Sequence, residues 1–303
     1  MPYRLPKPLT AICLLCASVT AQAASSSEIA PGVRPLLETA QAINNGLTQT
    51  SYAYTQAPDG QPLVQKQDGG WTAYTDCSGW VSYLMGKALP SQYAAVMKFK
   101  AEQFPRETRR SWPRAFVWEA WFHALGESPA PGAAFTQVTD LRRTRPGDVI
   151  AWCLGDWCDA GRLQALKSAR GLHKDTGHVV LVMGPAKQVS PASDGTPAVY
   201  AVPVLDASDL KHHAAEGTSV LPLKAVRGYD GCGAGAKDYD AHAYQPGQTP
   251  TCGGVGPGAI YFQVDARGAP LRFQFGPRDD FHPKPPNQGR ISIGRPVAQA
   301  PAR

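Results

Sequence analysis

A chain of 303 residues with 43% hydrophobic content can bury one large core or two small ones, which excludes general disorder. Its 30 glycines and 28 prolines point to a loop-rich fold. The formal charge of +6 becomes +4 once Arg4 and Lys7 are set aside with the leader, and no basic cluster is dense enough for a nucleic-acid surface; the mild excess suits an anionic partner such as cell wall.

The first 23 residues read as an export signal: Arg4 and Lys7, the apolar run Leu9 to Val19, then Ala21-Gln22-Ala23 as a small-residue cleavage site. The run is too short to span a bilayer, so no stable membrane insertion is expected after cleavage, and the mature chain is expected to be periplasmic or secreted. Cys16 follows Leu15, where a lipoprotein signal wants a small side chain, which favours cleavage after Ala23. Of seven cysteines, Cys13 and Cys16 leave with the leader, and Cys77, Cys153, Cys158, Cys232 and Cys252 remain. An odd number in an oxidising compartment suggests two bridges and one free thiol. Among the possible pairings of the last four, Cys153–Cys158 and Cys232–Cys252 are preferred, because each pair sits inside one glycine-containing loop. Metal ligation is the rival reading, but neither pair has zinc spacing with a histidine partner, so no metal and no cofactor is expected.

Residues 32–48 have helical spacing, with Val33, Leu36, Leu37, Ala40 and Ile43 on one face and a stop at Asn44-Asn45-Gly46. Thr50 to Tyr54 is a short extended segment. Thr75 and Asp76 then start a second helix, in which Trp80, Val81, Leu84 and Met85 share a side. Cys77 therefore falls in the first turn of a buried helix, where unpaired N–H groups and the positive end of the dipole favour a thiolate. A lone cysteine there is more often a small buried hydrophobe. Ser78 and Gly79 are small, so a substrate carbonyl could approach the backbone closely.

Between Pro90 and Ala134, Trp118, Trp121, Phe122 and Leu125 follow a core-facing helical stripe. Arg106, Arg109, Arg110 and Arg114 precede it, as a solvated face or as a grip for a substrate carboxylate. Arg145-Pro146-Gly147-Asp148 is a turn, Val149 to Trp152 a core strand, and 153–173 an excursion. His178 opens the strand Val179 to Met183, and a second strand runs from Val199 to Leu205 and ends at Asp206. If the two form an antiparallel hairpin centred near Ala192, His178 lies opposite Asp206, close enough for an imidazole–carboxylate hydrogen bond. Asp209 and His212 are alternatives for that orienting role. Residues 228–258 read as an irregular loop, 260–264 and 271–275 as a hairpin, Ile291 to Ile293 as an edge strand, and the tail from 296 as disordered.

Asp76-Cys77-Ser78-Gly79 before an apolar helix resembles the nucleophile motif of the NlpC-type papain-like cysteine peptidases, a superfamily of bacterial cell-wall amidases and endopeptidases. Arg145 to Ile150 and Gly177 to Val182 match two further motifs in the same order, and the resemblance covers roughly 50–210. It implies an α+β papain-like fold, with N-terminal helices on a central antiparallel sheet and a single domain over 24–295 carrying an insertion at about 90–134, a lid or a groove wall. It implies Cys77 as nucleophile, His178 as base, and Asp206 where many relatives carry a histidine as third polar residue. In the family a tyrosine upstream of the cysteine lines the site and can help to hold the oxyanion; Tyr52 is the match here and Tyr54 the alternative, and Ser78, small as noted above, is the other candidate on the substrate side. The expected activity is hydrolysis of an amide, above all in peptidoglycan stem peptides. The alternatives are another amide acyl transfer on the same scaffold and an inactive wall-binding module.

Overall fold

The computed structural model describes residues 29–54, 60–107, 110–128, 130, 132–159, 175–210, 212–213, 219–223, 253–283 and 289–298. The leader with Cys13 and Cys16, Arg109, and the expected Cys232–Cys252 bridge lie outside them.

The amphipathic stretch near the start forms α1 (Arg34–Asn45), which buries Leu36, Leu37, Ala40 and Ile43. Gly46 ends it and β1 (Leu47–Tyr52) follows at once. Two strands absent from the sequence reading come next, β2 (Leu63–Gln67) and β3 (Gly70–Thr75). They form a hairpin with Gln67 opposite Gly70, so Asp68-Gly69 is a two-residue turn, and Gly69 takes the positive φ of 96° that such turns favour. β1 joins β3 in parallel to complete a three-stranded sheet in the order β1-β3-β2.

Three helices follow: α2 (Cys77–Ala88), α3 (Pro90–Gln103) and α4 (Ala115–Ala124). The aromatic stripe is core, since Trp118 and Phe122 are fully buried, with Trp121 and Leu125 packed at its border.

The remaining strands are β4 (Phe135–Gln137), β5 (Val149–Leu154), β6 (His178–Val182), β7 (Lys187–Ser190), β8 (Ala198–Ser208), β9 (Gly254–Val264), β10 (Pro270–Gln274) and β11 (Gly289–Pro296). They form one sheet in the order β10-β9-β8-β6-β5-β11-β4, with β7 paired to β8. Every pairing in it is antiparallel, so the chain is an α+β fold. Strand alternation sorts its faces. Val149, Ala151, Val179, Leu181, Leu205 and Ala207 pack with the helices, whereas Ile150, Trp152, Val180, Val182, Val202, Val204 and Phe262 form a second core. The sheet curls around that second core, bringing β10 into contact with β11.

Three expectations are corrected. Ile291–Ile293 lies in β11, which sits between β5 and β4 rather than at an edge. β11 is held inside because the buried Glu119 of α4 accepts from Arg290 (Nε 2.6 Å, Nη2 2.7 Å) and Ser292 (2.8 Å), and Asp148 accepts from Arg295 Nε at 2.8 Å. Exposed pairs such as Arg34–Glu38 contribute about 0.3–0.5 kcal/mol at most. Removing Arg290 would leave Glu119 charged and dry, at a cost of about 3 kcal/mol, the low end of the usual range because Arg290 itself is a third exposed. The tail expectation also moves, because β11 runs through Pro296 and Val297 N–H donates to the Ala134 carbonyl. The part of 228–258 that is described is not irregular: β9 starts at Gly254.

Among the described residues no helix is long and apolar enough to cross a membrane.

Gly177 has φ +107°, and a Cβ there would run into the Trp152 carbonyl, whereas Gly155 (φ +54°) has open space around it. Gly177→Ala is therefore expected to cost about 3 kcal/mol or more and Gly155→Ala about 1 kcal/mol, as read by urea unfolding. Equal costs would show that the β5–β6 contact at Gly177 does not constrain the fold.

Candidate active site

β3 runs directly into α2, and the junction is built by Asp76. Its extended backbone (φ −82°, ψ 173°) makes it the N-cap, and Oδ1 accepts from the Gly79 N–H at 2.6 Å and from the Ser78 hydroxyl at 2.8 Å. Position 79 must be small, because a Cβ would strike the Thr75 hydroxyl and lie 3.3 Å from Trp112. Cys77 is the first residue of α2, 4% exposed, and the free cysteine among the described residues. Cys153 and Cys158 are joined by a disulfide, with Cα atoms 5.2 Å apart.

β1 is parallel to β3 with Tyr52 paired to Thr75, so the tyrosine is level with the start of α2. Burial first, and then the charges of Cys77, Tyr54, Asp76 and Asp209, hold the Tyr52 hydroxyl well above its usual value, so it stays protonated as a donor. Tyr54 packs edge-on against it at 5.6 Å and is pushed up to about 12, mainly by burial, yet it is 54% exposed. Tyr52 is thus the inner of the two. The small sheet is fixed to the large one beside this point. Thr50 donates to the Ala73 carbonyl (2.9 Å) and accepts from Val255 N–H (2.8 Å), and Gly254 leaves no room for a side chain against Thr50 and Ser51.

His178, 7% exposed, is the first residue of β6. Its ring lies between Trp152 (centroids 5.2 Å) and the edge-on Phe275 (5.4 Å). Nε2 is 2.6 Å from Oδ2 of Asp206, which is 1% exposed, and this leaves Nδ1 for Cys77. The contact is diagonal rather than directly across. β6 and β8 pair as Leu181↔Leu205 and Val182↔Val204, two residues off the expected register. The hairpin tip is Ser193 to Thr196, with Asp194-Gly195 as the turn, rather than Ala192, and the irregularity between Gln188 and Ser190 in β7 and the break between β7 and β6 take back part of that displacement. Diagonal neighbours on one face remain within reach of a long side chain, so the pair still meets.

Burial disfavours the imidazolium of His178, but a negative charge on Cys77 and hydrogen bonds with Asp206 and Cys77 outweigh it, raising the group well above its usual value. Burial likewise opposes ionisation of Asp206, yet His212 and His178 hold its carboxyl far below the carboxylate range. Asp209 is raised by burial, against the charge of His178. The arrangement can hold a thiol, a base and an ionised acceptor in sequence, the requirements for nucleophilic acyl transfer.

Ser78 does not face a substrate through its hydroxyl, which donates to Asp76 and accepts from Trp112 Nε1 at 3.1 Å. Its side chain ties the insertion to α2. Arg110 lies over Tyr54 (5.6 Å) and Trp112 (5.7 Å), with Nε 3.9 Å from Asp76. Residues 110–112 therefore pack beside the start of α2, while Arg114 pairs with Glu107 at 3.1 Å instead. The sequence reading did not single out Trp112, because nothing local links an indole to a serine 34 residues away. Among the described residues, no group of three His, Cys, Asp or Glu side chains is arranged to hold a metal ion. Comparison of the chain with protein-family models, curated proteins and solved structures found no match.

Since His178 titrates above its unfolded value of about 6.5, its pairing stabilises the fold below that pH and the contribution is lost as pH rises through the raised value. Cys77→Ala removes the foremost of the influences that raise it, so the ring should titrate at lower pH when followed by NMR. An unmoved titration would mean that Cys77 and His178 do not interact.

Proposed function

We propose that this chain is an exported cysteine hydrolase of the NlpC-type papain-like kind, a single domain that cleaves an amide bond in peptidoglycan stem peptides. The observation that carries the reading is the juxtaposition of Cys77 at a helix start with a buried His178 that is hydrogen-bonded to Asp206. Supporting it are the three sequence motifs, the export signal, and a tyrosine level with the nucleophile.

In this mechanism Cys77 Sγ attacks the amide carbonyl while His178 holds the thiol proton. The oxyanion is met by the Cys77 backbone N–H and the Tyr52 hydroxyl. His178 gives the proton to the leaving amine as the C–N bond breaks, leaving a Cys77 thioester. Water, deprotonated by His178, adds to the thioester, and the acid and the thiol are released. Asp206 stabilises the imidazolium and fixes the ring.

The mature protein incubated with purified muropeptides should release fragments that mass spectrometry assigns to one cleaved amide. Cys77→Ser and His178→Ala should each lower the rate by about 10³-fold or more, and the double variant should lose little beyond either, since such groups act as a unit. Stem peptides left intact by the wild-type protein would remove the wall-hydrolase assignment.

A further inference from the structure

Asp206 meets two imidazoles. Oδ2 is 2.6 Å from His178 Nε2, and Oδ1 is 3.2 Å from Nε2 of His212, whose side chain is 4% exposed. The 3.2 Å approach is a charge contact that falls short of hydrogen-bond geometry, and no other donor reaches Oδ1 among the described residues, although a buried carboxylate oxygen needs one. The place of His212 is built by its surroundings. Leu210 N–H donates to the Ser208 hydroxyl (3.0 Å) as the chain leaves β8, and Ala259 N–H donates to the His213 carbonyl (3.1 Å), fixing the segment to β9. A Cβ on Gly258 would lie 3.2 Å from the His212 Cβ and 3.4 Å from its Cδ2, so the imidazole lies close along that strand.

We infer that His212 is a positioning residue that donates Nε2–H to Asp206 Oδ1 and thereby holds the carboxylate plane, keeping Oδ2 on His178. This rests on the reading of Cys77 and His178 as the reacting pair. The physical reason is rotational. The Cβ–Cγ torsion of an aspartate is broad, so one hydrogen bond leaves the carboxylate free to swing. A second bond on the other oxygen sets the plane, and with it the direction in which His178 presents Nδ1 to Cys77. The system is then four groups in line, His212, Asp206, His178 and Cys77. The rival donor for Oδ1 is a water: a cavity of about 10 Å³ lined by Asp206, Ser208, His212 and His213 lies beside the pair, at the lower limit for one molecule.

The test needs no substrate, so its failure is separable from failure of the wall-hydrolase reading. The charged and titratable groups around the line are Tyr52, Tyr54, Asp76, Asp175, Asp209, His213 and, across Gly276 from His213, Asp279. In the wild-type protein with ¹⁵N-labelled histidine, His212 Nε2 should carry a proton throughout the pH range in which Cys77 reacts with iodoacetamide. In the alkylation profile, His212→Ala should slow Cys77 at neutral pH by about tenfold and move the rise in reactivity in the same direction as Asp206→Asn. His212→Gln, which keeps a side-chain N–H, should recover most of the loss. In an Asp206→Asn background, His212→Ala should cost almost nothing further. An unprotonated His212 Nε2 in the wild-type protein overturns the inference, and that measurement stands even if His212→Ala fails to fold. An undiminished effect of His212→Ala in the Asp206→Asn background overturns it too.

Discussion

The carboxylate of Asp76 joins parts of the chain that are distant in sequence. Through Oδ1 it satisfies the Gly79 N–H and the Ser78 hydroxyl, and Ser78 in turn accepts from Trp112. Arg110 stands beside its other oxygen. Each of these polar groups is buried or partly buried, and each would carry a desolvation penalty if left unpaired. One side chain thus caps α2, fixes Cys77 as its first residue, and ties residues 110–112 to the start of that helix. Substituting a good cap by alanine typically costs about 1–2 kcal/mol, and here the loss would extend to Ser78 and Trp112.

The other half of the site depends on how β5, β6 and β8 are set. Gly177 lets β6 begin against the Trp152 carbonyl, so His178 starts its strand next to Trp152. Asp148 holds the preceding turn by accepting from Arg145 N–H at 2.8 Å and from Arg295. His178 and Asp206 stand at even positions, like Val180, Val182 and Val204, so they share the face that lines the second core. A buried imidazole–carboxylate pair in those surroundings has little water to compete with it, which is why its hydrogen bonds can outweigh burial.

The start of α2 was legible because its signals are local: a cap at Asp76, small residues after it, an apolar side. The meeting of His178 with Asp206 is legible from strand lengths, although the register is not, because the turn lies at Asp194-Gly195 and the short, exposed β7 has little apolar pattern to mark it. The β2–β3 hairpin likewise turns at Asp68-Gly69, between strands whose side chains are largely exposed or half-buried. Asp-Gly between extended segments is a strong hairpin signal, and both cases show it. What no local pattern carried was tertiary: the parallel placing of β1 that brings Tyr52 level with Thr75, and the salt bridges that draw β11 into the sheet. The small size of Ser78 is legible in the sequence, but the commitment of its hydroxyl to Asp76 and Trp112 is not, because Trp112 lies 34 residues away.

The central claim is covalent: the thiol of Cys77 carries the acyl group between two partners. It is tested most directly by mixing the wild-type protein with an activated amide or ester of a stem-peptide acid, quenching in acid within the first turnovers, and mapping the adduct by peptide mass spectrometry. The account predicts an added acyl mass on the peptide containing Cys77, removed by hydroxylamine and absent in Cys77→Ser. Product formation without an adduct on Cys77, or an adduct on another residue, would contradict it.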